Sequence, residues 1–180
     1  LAGVSLLGFG LLYSLTGAGL GSLLFPHQAG GSLIERDGKV IGSSLVAQPF
    51  ADDRYFQSRP SAAGYDVMAL AGSNQARTNP DLRARIDQAR AAVASREGVA
   101  PAEVPSDLVT QSGGGIDPHL SPEAIRIQIA RVARVRGLSV SEVEQLVAAH
   151  TEAPQFGLLG APRINVLELN LALDGVREPE

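Results

Sequence analysis

The chain has 180 residues, 44% hydrophobic and 19% charged, with a net charge of -4 and no cysteine. The missing cysteines exclude disulfides, thiolate catalysis and cysteine-ligated zinc, while interspersed charges and 4% aromatics argue against a dedicated nucleic-acid binder. Every charged side chain falls after Ile34, so the composition predicts a short membrane element followed by one domain of ordinary size.

Residues 1–26 carry nine leucines with Val4, Phe9, Tyr13 and Phe25. As a helix this stretch rises about 39 Å, enough to cross a ~30 Å hydrocarbon core with some tilt. A signal-peptide apolar region is about half as long, and no A-x-A cleavage site follows. A transmembrane helix over 1–26 and a soluble domain over 27–180 are therefore expected. Gly10, Ser14, Gly17, Ala18, Gly21 and Ser22 share one face at ~100° per residue, with Leu12, Leu15 and Leu23 opposite. Small residues let another helix backbone approach closely in lipid, so this face predicts a partner helix. Glu35, Arg36, Asp37 and Lys39 cancel and give no orientation.

After the span, Leu33 and Ile34, then Val40 and Ile41, flank Asp37-Gly38, a dipeptide suited to a two-residue type I′ hairpin turn. Residues 48–79 show no sustained period and hold Pro49, Pro60, Gly64 and Gly72, which predicts a long irregular segment, functional or fastened by its own side chains. Asn79-Pro80-Asp81 opens a helix running to Gly98, with Leu82, Ile86, Ala89 and Val93 at helical spacing. A loop over 99–120 leads to Ser121-Pro122-Glu123, which opens a second helix ending at Gly137. A capping box over Ser139–Glu142 opens a third, whose terminal His150 reads as a dipole partner or core-edge histidine. Residues 164–173 alternate, with Leu167, Leu169, Leu171 and Leu173 on one side and Glu168 and Asn170 on the other, and predict a half-buried strand. The fold class expected is α+β: one N-terminal membrane helix, then a domain with a small antiparallel sheet and about three helices.

Most catalytic signatures are absent. The lone lysine, Lys39, is followed by Val40 and completes no P-loop, and His27, His119 and His150 form no zinc pattern. The segment that stands out is Ser112-Gly113-Gly114-Gly115-Ile116-Asp117-Pro118-His119, leading into a capped helix. Successive glycines can aim several amides at one point, a plausible anion cradle. The competing reading is a tight loop whose Asp117 and Ser121 cap the following helix. A serine hydrolase using Ser112 with Asp117 and His119 or His150 is the alternative from another class, although Thr110 stands where a nucleophile elbow needs glycine. Tyr55, Phe56, Arg59 and Pro60 combine aromatics with an arginine, as packing or as a docking surface.

Taken in order, Phe25-Pro26-His27-Gln28, Tyr55-Phe56-Gln57-Ser58-Arg59-Pro60-Ser61, Gly72-Ser73-Asn74, Ser112 to His119, and Asn165-Val166-Leu167-Glu168-Leu169-Asn170 resemble the C subunit of the Kdp-type high-affinity potassium-transporting ATPase. The resemblance spans nearly the whole chain. One departure is that Gly114 stands where the family loop usually has a second serine. The resemblance implies a non-catalytic accessory subunit that assembles with a P-type ATP-hydrolysing subunit, a potassium-pathway subunit and a small single-span subunit in the cell membrane. It implies a catalytic chaperone that raises ATP affinity, with Ser112, Gly113, Gly114, Gly115 and Asp117 as nucleotide-contacting candidates and ATP as the cofactor. It also implies an extracytoplasmic domain, which sets a bilayer between that loop and cytoplasmic ATP. The reading that removes the conflict is docking outside the membrane, coupled to nucleotide affinity through the membrane partners.

Overall fold

A computed structural model describes residues 1–176 and divides the chain into two units, Leu1–Leu45 and Val46–Glu180. In the first unit, helix α1 runs over Ala2–Leu24, long and apolar enough to cross a membrane, with a π-helical stretch at Leu6–Leu12. It stops at Phe25, whose φ of -136° and ψ of 61° reflect the crowding a following proline imposes. A single turn, α2 (Pro26–Ala29), precedes the hairpin of β1 (Leu33–Arg36) and β2 (Lys39–Ser43), which pair antiparallel. Asp37 and Gly38 both take positive φ (53° and 73°), as the two-residue turn requires.

The second unit begins with an irregular strap from Val46 to Asn79, and then α3 (Pro80–Glu97) starts as expected. Asn79 accepts from the Asp81 amide, and Gly98 closes the helix at φ 69°. Between Val99 and Leu120 lie two 3₁₀ turns (Pro101–Glu103 and Ser106–Leu108) and the short β3 (His119–Leu120). The helix predicted from Ser121 to Gly137 is broken: α4 (Pro122–Arg126) and α5 (Ile129–Arg136) are separated at Ile127-Gln128. The capping box of Ser139 and Glu142 forms and starts α6 (Val140–Ala149). His150 ends α6, its Nδ1 2.8 Å from the Leu146 carbonyl.

The predicted strand over 164–173 is a correction. Only β5 (Arg163–Asn165) is extended; it forms the centre of an antiparallel sheet between β3 and β4 (Thr151–Glu152). From Val166 to Gly175 the chain is helical, α7, capped by Asn165, whose Oδ1 accepts from the Leu167 and Glu168 amides. Asn165 terminates the strand, and Val166, Leu169, Asn170 and Leu173 then bury one helical stripe at i, i+3, i+4 and i+7. The alternation of leucines hid that stripe; beyond Val166 the segment lacks the β-branched residues a strand favours.

The core gathers Leu120, Ile125, Val132, Val143, Ile164, Leu169 and Leu173 around Phe56 of the strap. Among the described residues the strap joins no ladder, and over 53–57 its core-facing backbone groups are satisfied by side chains instead. Asn170 accepts from the Phe56 amide (2.9 Å) and donates to the Phe56 carbonyl (2.8 Å), and Gln128 accepts from the Gln57 amide (2.8 Å). From α5, Arg131 donates to the carbonyls of Asp53 and Tyr55, and Arg136 to that of Arg54. The Arg131 charge is matched inside by Glu97 of α3 at 2.9 Å.

Candidate functional site

The glycine run lies where the strap meets the segment after the 3₁₀ turns. Ser112 is 4% exposed, and its Oγ accepts from the amides of Gly115 (2.9 Å) and Asp117 (3.4 Å). The loop is stitched to the strap from outside as well. Ser112 N donates to the Pro60 carbonyl (3.2 Å), Ala47 N to the Ile116 carbonyl (2.8 Å), and the Ser61 hydroxyl to the Gly115 carbonyl.

Two glycines are required by closeness of approach. A Cβ on Gly72 would lie 2.5 Å from the Gly113 carbonyl oxygen, and one on Gly115, at φ +80°, would lie 2.8 Å from the Ala71 oxygen. Gly114 is different: a Cβ there would meet nothing within 4 Å, so this backbone leaves room for a side chain such as serine. The sequence suggested an open anion cradle, but two loop amides point inward onto Ser112. Gly113 and Gly114 form the exposed tip.

Asp117 closes the far side. Its Oδ1 accepts from the His119 amide (3.0 Å) and its Oδ2 meets Arg59 Nη1 at 3.3 Å. The His119 side-chain contact, more than the Arg59 charge, holds the Asp117 carboxyl below the usual carboxylate range, against the opposing effect of partial burial. Arg59 also donates to the Thr110 carbonyl (3.1 Å), and Tyr65 donates its hydroxyl to the Arg59 carbonyl (2.8 Å). Burial raises the Tyr65 pKa, which keeps this phenol a donor. A polar cleft opens beside Arg59, lined by Glu103, Asp107, Ser121, Glu123 and Arg126 but by none of the three loop glycines.

The proposed docking residues separate. Phe56, at 0% exposure, is a core residue and presents nothing to a partner. Tyr55 is half-buried, under the Arg136 guanidinium (4.8 Å to the ring centre), and its hydroxyl donates to Asp174 (3.0 Å). Arg59 and Pro60 are partly exposed at the rim of the glycine loop. In α1, the six small residues bury nothing within the chain, and a Cβ on Gly17 or Gly21 would meet no atom within 4 Å.

For the hydrolase alternative, the partners of Ser112 Oγ among the described residues are backbone amides; no histidine reaches it. Gln128, Arg131, Arg136 and Asn170, which fix the strap and so the loop seated on it, did not stand out in the sequence. The available signal was polar residues at inward helical positions, and the strand reading of 164–173 turned Asn170 outward.

The chain matches, over residues 1–175, the family model described as KdpC: K+-transporting ATPase, c chain. A potassium-transporting ATPase KdpC subunit from Xanthomonas campestris pv. campestris (strain B100) is 64% identical over 169 residues, covering 94% of this chain and 81% of its own. The protein so named from Methylococcus capsulatus is 55% identical over 171 residues (93% and 90% covered). That from Shewanella putrefaciens is 50% identical over 167 (93% and 84%).

Proposed function

The chain belongs to the KdpC family of potassium-transporting ATPase subunits, and from that premise we propose that it is a non-catalytic assembly subunit that raises the nucleotide affinity of its pump. Its partners are the P-type ATP-hydrolysing subunit, the potassium-pathway subunit and a small single-span subunit, with lipid around α1 and no nucleic acid. Helix α1 packs on those partners through Gly10, Ser14, Gly17, Ala18, Gly21 and Ser22, and the domain docks outside the cytoplasm. The observation that carries the accessory reading is Ser112, whose buried hydroxyl is occupied holding loop amides rather than being activated by a base.

The domain acts as a catalytic chaperone by favouring the pump state that binds ATP tightly, a coupling free energy carried by the membrane subunits. Arg59 and Pro60, at the rim of the loop, are its docking candidates. The test is the KM for ATP of the reconstituted pump with and without this chain. A fall in KM of about tenfold corresponds to ~1.4 kcal/mol of coupling; an unchanged KM in an assembled pump overturns the chaperone role.

A second reading, direct contact with ATP, draws on the exposed Gly113–Gly114 tip. Here the tip amides would meet a phosphate while Ser112, Gly115 and Asp117 hold the tip in shape. Photolabelling of the full-length chain with an azido-ATP analogue tests it: saturable labelling at 111–117 supports contact, and none removes it.

A further inference from the structure

Between β4 and β5 the chain makes a ten-residue excursion, 153–162, with no charged residue and with Phe156, Leu158 and Leu159 exposed by 88%, 83% and 57%. Its tip is well defined. Gln155 and Leu159 exchange backbone hydrogen bonds (both 2.9 Å), Leu158 N donates to the Gln155 carbonyl, and Phe156 and Gly157 both have positive φ (55° and 73°). A turn of that hand favours asparagine, aspartate or glycine at its first central position, and a bulky side chain there is strained. Here the position holds a phenylalanine whose ring gains almost no contact with its own chain. The folded molecule gains nothing from that choice, and exposed apolar side chains grouped on a fixed tip mark an interaction site.

We propose that this tip enters the bilayer, as a second membrane contact for a chain whose α1 is apolar enough to span it. Chemistry favours hydrocarbon over a protein partner. No charge lies on the tip, and the ions that flank it in sequence, Glu152 and Arg163, pair with each other at 2.7 Å across the strands at its base, where an inserted tip would meet the polar headgroups. Another exposed apolar stretch, Val67 to Leu70, differs on this point, since Asp66 adjoins it and accepts from the Met68 amide. Three side chains are too few to hold a free protein on a membrane, because small apolar anchors need a second signal. A covalently attached span supplies one, holding the tip near lipid at an effective concentration of roughly millimolar.

The chain has no tryptophan, so Phe156→Trp creates a single probe in the full-length protein reconstituted in phosphatidylcholine vesicles. Its emission should shift to the blue and fall about twofold or more with brominated acyl chains, as expected for a ring at the headgroup–acyl boundary. Met68→Trp should remain open to aqueous acrylamide and blind to bromine. Leu158→Trp repeats the measurement should the first variant fold poorly. Water-exposed emission from both tip probes overturns the proposal. So does protection from acrylamide that appears only when the other pump subunits are added, which would assign the tip to a protein partner. None of these readings depends on ATP affinity, so this proposal and the chaperone role stand or fall separately.

Discussion

Ser112 illustrates how one buried hydroxyl shapes a loop that its glycines alone leave loose. Ser112→Ala leaves the Gly115 and Asp117 amides without their acceptor, and the buried one of the pair sets the cost, about 1–3 kcal/mol. Urea unfolding of the full-length protein in detergent should show that loss, and Ser112→Thr should recover part of it. Asp117 gives the loop an acid response. Its folded pKa is depressed, so its stabilisation is complete above the unfolded value of about 3.9 and is lost as the pH falls through the folded value. Asp117→Asn should therefore be the less stable protein at neutral pH, with a shallower decline below about pH 4. Equal acid profiles for the two proteins would show that the carboxylate is irrelevant to the loop.

At the level of elements, Asn170 sets the register of the strap by holding both backbone groups of Phe56 from α7. Asn170→Leu keeps the branched side-chain shape, enlarges it and orphans a buried donor and acceptor, at a cost of about 3 kcal/mol, legible as a lower Tm with the helical circular dichroism retained. The same residue shows where sequence reasoning stops. Caps and turns were legible because their chemistry is local: Asn79-Pro80, Asp37-Gly38 and the Ser139–Glu142 box each formed as read. The break at Gln128 was not, since its side chain bridges Gln57 and the Ala124 carbonyl across 71 and four residues. Residues 164–173 failed because a period of two in leucine coexists with a period of 3.6 in burial, and Asn165 as a cap decides between them. In the candidate site the glycine run and Asp117 were legible, whereas the inward turn of Ser112 depended on Pro60 and Ser61, far away in the sequence.

For the molecule as a whole, the N-terminal unit presents a helix long and apolar enough to cross a membrane, with one face of small residues, and the larger unit pairs its buried arginines, Arg131 with Glu97 and Arg136 with Asp174. If α1 packs against partner helices through that face, Gly17→Leu with Gly21→Leu should abolish co-purification with the pump subunits while the isolated chain still inserts in membranes. Unchanged recovery of the complex would put the contact on the leucine side.

The side-chain fastening of residues 53–57 reaches into kinetics as well. A β-ladder can fray from one end, releasing one pair at a time, but here the anchors stand on α7, on α5 and on Gln128 at the start of α5, and reach a single short stretch. Freeing it requires those helices to part. The amide protons of Phe56 and Gln57, in a segment that is neither helix nor strand, are thus expected to exchange with deuterium as slowly as those of α5 and α7.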